Sequence, residues 1–231
     1  TDTFFSEEEL KLSKRFITKL VNASKFAIMQ LEDFECLNDY DTSNLLPIDQ
    51  WILQRVNETT IAAINLLEDY EIGQARHEID TLFWRDFCDY YIEIVKERLY
   101  QPQKHGATQR YSGQYALYHS LLGTLKLYAI YTPYVTDYIY QEFFKKHEGM
   151  TSIHQMIWST DETQSTYIEF GEHLKDVIGE VRRKKTEQQL SMKDEIPELV
   201  ITCPERFAEF YKKTEMDIRA CTNAKEIVIR S

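Results

Sequence analysis

Apolar side chains return at helical spacing over most of the chain. Leu10, Ile17, Leu20, Ala27, Ile28 and Leu31 fall near one face of a helix predicted over about 7–33. Ser6 stands as its N-cap, and Glu9 three residues on completes a capping box. The same segment carries a second row. Lys11, Arg15, Lys19, Asn22 and Phe26 follow i, i+4, i+8, i+11 and i+15, with Lys25 beside them. A helix that only had to be buried on one side would have no need for a basic row ending in an amide and a ring.

Pro47 suits the first turn of a second helix, which the pattern carries to about Tyr70. A third follows over 73–100, with Ile79, Leu82, Phe83, Phe87, Tyr90 and Ile94 turned inward. The stretch QPQKHGATQRYSG predicts a polar loop, and a fourth helix runs over 112–131. Thr132 as N-cap and Pro133 at the first position restart a helix that ends near Gly149. Residues 151–162 are irregular, and from about Glu162 another helix runs through RRKKTEQQL. The period then changes. ELVIT reads as a strand, 204–221 as a helix and EIVIR as a strand. The expected fold is mainly α: a helical bundle over 1–160, then 161–231 with one more helix and a small C-terminal α/β subdomain.

Composition agrees with long helices. In 231 residues there are only 7 Gly and 5 Pro against 15 Tyr, 12 Phe and 3 Trp, few breakers for a loop-rich or all-β chain. A net charge of -11 argues against a generic nucleic-acid coat, although a local basic site on an acidic body remains open. The four cysteines, at 36, 88, 203 and 221, form no C-x-x-C pair and no zinc-ligand spacing with histidine. With no signal peptide and no run long enough to span a bilayer, the expected compartment is the reducing cytoplasm, without membrane contact. The chain opens on Thr rather than Met, which reads as a piece of a longer protein.

Catalytic patterns are missing. There is no Glu-x-x-His pair for a carboxylate-bridged metal site, no His-Glu-x-x-His, no Gly-rich phosphate loop and no Gly-x-Ser-x-Gly. His77 and His119 read as structural histidines on helices. Asp86 and Asp89, three residues apart beside Arg85, read as partners within the bundle. No catalytic residue and no metal ligand is predicted.

Several phrases carry a resemblance. Arg15-Phe16, Lys19-Leu20, Val21, Asn22-Ala23 and Lys25-Phe26 follow an Arg-Phe-x-x-Lys-Leu-aromatic-Asn-Ala-x-Arg-Phe pattern. DQWILQRVNET, FWRDFCDYYIE, YTPYVTDYIYQ and SIHQMIW follow in order. Over about residues 4–158 the chain resembles the anticodon-binding region of the class I aminoacyl-tRNA synthetases, and most closely the valyl group. The later phrases are shared with the isoleucyl and leucyl groups, so the choice of valyl rests on the first two helices. It departs from the pattern at Val21 (usually aromatic), Lys25 (usually Arg, whose planar fork a lysine lacks) and Trp158-Ser159 (usually Trp-Pro). The long C-terminal coiled coil of many bacterial valyl enzymes is absent.

The resemblance implies the following. The fold is an anticodon-binding helical bundle. Lys19, Asn22, Lys25 and Phe26 face the anticodon, and Arg15 and Lys11 lie along the phosphates. The partners are the anticodon stem-loop of valine tRNA and an N-terminal catalytic domain of the same polypeptide, in a monomer. The nucleotide-binding phrases of the family are missing here, so ATP and magnesium belong to the full-length enzyme and this piece alone has no cofactor and is inert. The run Arg182 to Lys185 reads as a solvated helix face, with a contact to the tRNA body as its alternative, and Trp84 reads as core. Two other readings stand beside the valyl one: the same domain of an isoleucyl or leucyl enzyme, and a free-standing helical binding or scaffold protein.

Overall fold

The computed structural model describes residues 7–35 and 41–230. The Ser6–Glu9 capping box and Cys36 lie outside what is described. Among the described residues, eight helices and two strands follow in chain order: α1 (Glu7–Gln30), α2 (Pro47–Glu68), α3 (72–100), a single turn α4 (Pro102–His105), α5 (Ala107–Tyr128), α6 (133–148), α7 (Ser165–Glu187), β1 (Ile196–Thr202), α8 (Glu205–Thr222) and β2 (Ala224–Arg230). The middle of α3, Thr81–Tyr91, is wound as a wider π-helix, as is Tyr140–Phe144 in α6. Short 3-10 turns occupy Thr42–Asn44 and Ile153–Gln155. The fold is the mainly α bundle with a small α/β tail that the periodicity predicts.

Helix α5 is the central post. It is buried over most of its circumference, with one half-buried stripe through Tyr115, His119, Gly123 and Lys126, which is how a helix near the middle of a bundle reads. Its buried hydroxyls are satisfied locally: Ser120 donates to the carbonyl of Ala116 and Thr124 to that of Ser120. Around it stands an aromatic core. Phe83, Phe87 and Tyr91 stack in succession along α3, with ring centroids 6.4 and 6.3 Å apart, and Phe16 of α1 and Tyr128 of α5 close against Phe83.

Two buried ionic clusters tie the elements together. Asp86 on α3 accepts from Arg55 Nε of α2 (2.9 Å) and from Lys175 Nζ of α7 (2.7 Å). Arg98, fully buried on α3, grips Asp49 of α2 with Nη1 and Nη2 (2.7 and 2.9 Å) and donates to the carbonyl of Gln109. Tyr91 and Ser112 donate to the same carboxylate, and Asp217 of α8 lies 3.2 Å from Arg98 Nε. Removing Arg98, or Asp86 from between its two cations, strands buried charge, at a cost of about 3–5 kcal/mol.

The tail packs by a β–α–β unit. Strands β1 and β2 are parallel, with Ile196 opposite Ala224 and Thr202 opposite Arg230, and α8 crosses between them. Parallel neighbours cannot be joined by a hairpin, so the intervening helix is required. Phe207, Tyr211 and Ile218 of α8 share one continuous core with the bundle. Lys185, buried at the end of α7, donates to the carbonyls of Met192, Asp194 and Thr222, which fixes the turn into β1 against the end of α8.

Several expectations are corrected. Leu10 and Ile17 are 56% and 41% exposed; the buried face of α1 runs instead through Phe16, Leu20, Ala23, Ala27 and Leu31. Large Phe16 sets the phase, because it is the ring that reaches Phe83 and Tyr128. Residues 101–113 are not a loop. Pro102 opens the turn α4, Gly106 at φ 88 makes a break, and α5 starts at Ala107. The stretch is polar because its outer side is wet, not because it is irregular. Tyr90 is half-buried and carries Lys175 and Arg182 over its ring. The Thr132 side chain caps nothing; its hydroxyl donates back to Tyr128. Helix α2 stops at Glu68, and Tyr70 (φ 62) is the left-handed exit. His119 is structural, as expected: its ring lies between Tyr115 and Tyr118, and burial pulls its pKa down to about 4, so it is neutral.

Candidate nucleic-acid interface

The basic row of α1 lies at the rim of its buried face. Lys11, Arg15, Asn22 and Lys25 are exposed, and Lys19 and Phe26 are half-buried where α1 meets α3. The two half-buried members find aromatic partners across the groove. Lys19 Nζ stands 5.9 Å from the centre of the Trp84 ring, a cation–π approach. Phe26 meets Tyr100 edge-on, with centroids 5.9 Å apart and planes at 63°. Below Lys19 lies Cys88. Burial pushes its thiol up to about 12, with the lysine charge opposing, so it is an inert part of the floor.

Trp84 and Tyr100 end one row on α3: Trp84, Cys88, Ile92, Lys96 and Tyr100, at four-residue spacing. On an α-helix such a row drifts sideways. The wider winding over Thr81–Tyr91 turns it back, which lets both aromatic ends meet α1. The groove therefore has a basic wall and a mixed aromatic wall. Trp84, expected in the core, is half-buried at this wall. Lys96 and Tyr100 are members that the sequence pattern does not single out, and the four-residue spacing is the signal that leads to them.

Ionic partnership separates this face from the other basic run. Among the described residues, none of Lys11, Arg15, Lys19 and Lys25 takes part in an ion pair. The cations of α7 are committed elsewhere. Arg182 donates to the carbonyl of Asp89 and covers Tyr90, Arg183 faces Glu187, Lys184 pairs with Glu180, and Lys185 is buried. In a chain of net charge -11, four cations on one helix face without carboxylate partners among the described residues leave a local positive potential open to an anionic ligand.

Among the described residues, no three His, Cys, Asp or Glu side chains gather where they could hold a metal ion. Asp86 pairs within the bundle, as expected, as the buried centre of the Arg55–Lys175 cluster, whereas Asp89 is on the surface. No helix among the described residues is long and apolar enough to cross a membrane.

Comparison with known proteins gives this geometry a family. Residues 49–201 match the family model for the anticodon-binding domain of tRNA ligases, so the chain belongs to that family. The match begins after α1. Whole-chain similarity includes α1 and narrows the group. The chain is 34% identical to a valine–tRNA ligase of Rickettsia felis, over 98% of this chain and 26% of that protein. It is 31% identical to one of Ehrlichia ruminantium (99% and 28%) and 29% identical to one of Methanopyrus kandleri (99% and 25%). The chain thus spans about a quarter of the length of these curated relatives.

Proposed function

We propose that this chain is the part of a valine–tRNA ligase that reads the anticodon loop of valine tRNA, with the α1 row as the reading face. The observation that carries this is the row of cations on α1, without ion-pair partners among the described residues, which runs into Asn22 and Phe26 beside an aromatic wall. Single-stranded loop bases are recognised by stacking on rings and by hydrogen bonds to their exposed edges. The Asn22 amide can donate and accept at once, which suits a base edge. Phe26 offers a ring for stacking. Lys19 and Lys25 bring charge beside those bases, and Lys11 and Arg15, nearer the helix start, serve the backbone phosphates.

On this reading the chemistry lies elsewhere in the same polypeptide. An N-terminal catalytic domain binds ATP and magnesium, in a cytoplasmic monomer, and the present chain alone forms no aminoacyl bond. The test is aminoacylation by the full-length ligase with wild-type and anticodon-altered valine tRNA. Phe26→Ala should lose about 1–3 kcal/mol of stacking, and Asn22→Ala should narrow the difference between the two tRNAs. If both variants leave kcat/KM unchanged for both tRNAs while the fold is intact, α1 is a solvated basic surface and the reading is wrong.

A further inference from the structure

We propose that Tyr100 is a second stacking residue of this interface: with Phe26 it forms a two-ring corner for one unstacked base, and Lys96 takes the adjacent phosphate. The inference rests on the RNA-binding reading above and adds a wall that the α1 pattern does not contain.

Tyr100 is 53% exposed although its neighbours Arg98 and Leu99 are buried. A tyrosine at the end of a helix could tuck into the core; here the ring stays out, edge-on to Phe26 at 63°. Phe26 is half-buried and Tyr100 more than half exposed, so the pair keeps ring surface open to solvent. An unstacked base lying against one presents its edge to the other, the offset or T-shaped arrangements that aromatic systems prefer. Asn22, one turn before Phe26 on the same row, is placed to address the edge of that base.

The backbone beneath Tyr100 is held firmly. Arg98, two residues earlier, is pinned to Asp49, and the Gln101 amide closes the helix on the carbonyl of Glu97. The corner is therefore built before ligand arrives, and little ordering is left for binding to supply. Lys96, one turn before Tyr100, is half-exposed and only loosely paired with Glu93 at 3.5 Å, so exchange of that partner for a phosphate is easy. Lys104 is different: it is bound to Glu97 at 2.6 Å and belongs to the structure. The occupant is RNA rather than an apolar partner because the flanking groups on α1 are exposed cations with no ion-pair partner among the described residues.

The experiment uses the full-length polypeptide that carries this chain. Valine tRNA is made with 2-aminopurine at successive anticodon-loop positions, and KM, kcat and fluorescence are read for Tyr100→Ala, Tyr100→Phe and Phe26→Ala, with melting temperature as the folding control. Tyr100→Ala should raise KM about tenfold with kcat little changed, and should relieve quenching at one loop position. Tyr100→Phe keeps the ring and should stay within about twofold of wild type on both readouts. If Tyr100→Ala is silent while Phe26→Ala raises KM, the interface stands and Tyr100 is no part of it. If both are silent, the interface itself falls and this proposal with it. If Tyr100→Phe is as impaired as Tyr100→Ala, the hydroxyl matters rather than the ring, and the stacking corner is wrong.

Discussion

Replacing Asp217 by Asn should make the protein more stable at neutral pH and leave it unchanged in acid. Two carboxylates, Asp49 and Asp217, approach the single guanidinium of Arg98 in a site closed to water. Asp49 takes both Nη donors and the hydroxyls of Tyr91 and Ser112. Asp217 comes within 3.2 Å of Nε, but neither that nitrogen nor Asp217 Oδ1 has an aligned hydrogen bond. Burial, with repulsion from Asp49 and against the pull of Arg98, pushes the Asp217 carboxyl from its ordinary 3.8 up to about 6. A carboxyl raised in this way binds its proton more tightly folded than unfolded. Its contribution is fully present below about pH 4 and is lost as pH rises through 6. At about 1.4 kcal/mol per pH unit the loss amounts to roughly 3 kcal/mol. Asparagine carries no charge at any pH, so the variant lacks this loss. The assay is urea unfolding of both proteins from about pH 4 to about pH 8, with the difference in midpoint stability plotted against pH. His105 and Glu97, in contact at 2.9 Å near the site, act on Asp217 with opposite signs. The curves should coincide near pH 4, separate as pH rises towards 6 and run parallel above it, with the variant ahead by up to about 3 kcal/mol. A variant less stable than wild type by more than about 1 kcal/mol at the alkaline end would refute the reasoning. It would mean that attraction to Arg98 exceeds the cost of burying the second carboxylate.

Other expectations follow from packing and charge. A Cβ on Gly171 would lie 1.9 Å from Cδ1 of the buried Trp51, so Gly171→Ala should destabilise by about 1–3 kcal/mol or more, read by thermal unfolding; an unchanged melting temperature would show that α7 can draw away from α2 freely. Phe87 is fully buried in the aromatic stack, and Phe87→Ala should cost about 3–5 kcal/mol in chemical unfolding, with a loss below about 1 kcal/mol contradicting its core position. Lys11→Ala and Arg15→Ala should weaken tRNA binding evenly across anticodons and flatten its salt dependence, by about one in slope for each phosphate no longer neutralised, whereas an anticodon-dependent effect would move them from phosphates to bases.

The order of helices and the strand–helix–strand ending are readable because each element carries its own period, and Pro47 and Pro133 mark two starts. The phase of α1 is not. Leu10 and Ile17 fit a helical stripe as well as Phe16 does, and only the position of Phe83 and Tyr128 decides which stripe is buried. The helical character of 101–113 is hidden by its polarity, since a helix wet on its outer side looks locally like a loop. The α1 half of the interface is legible as a row of cations with an amide and a ring. Its α3 half is not, because Trp84 and Tyr100 become neighbours of that row only through the π-helical winding between them. Most of the buried charges are equally silent: Asp86 reads as a partner within the bundle, but Asp49, Arg98 and Lys175 look like ordinary surface residues until distant helices meet.

Those distant partners bear on how the chain folds as it is synthesised. Asp86 waits 89 residues for Lys175, and the Trp51 ring lacks its contact with α7 until Gly171 has emerged. A nascent bundle ending before α7 therefore leaves one side of a large indole open and a carboxylate held by Arg55 alone on what will become its inner surface. Such a species is partly collapsed and prone to wrong association. Long-range pairs of this kind also slow the final step, since loop closure precedes the contacts that reward it. The chain is thus expected to remain protease-sensitive on the ribosome until α7 is free, and to gain resistance in one late transition rather than helix by helix.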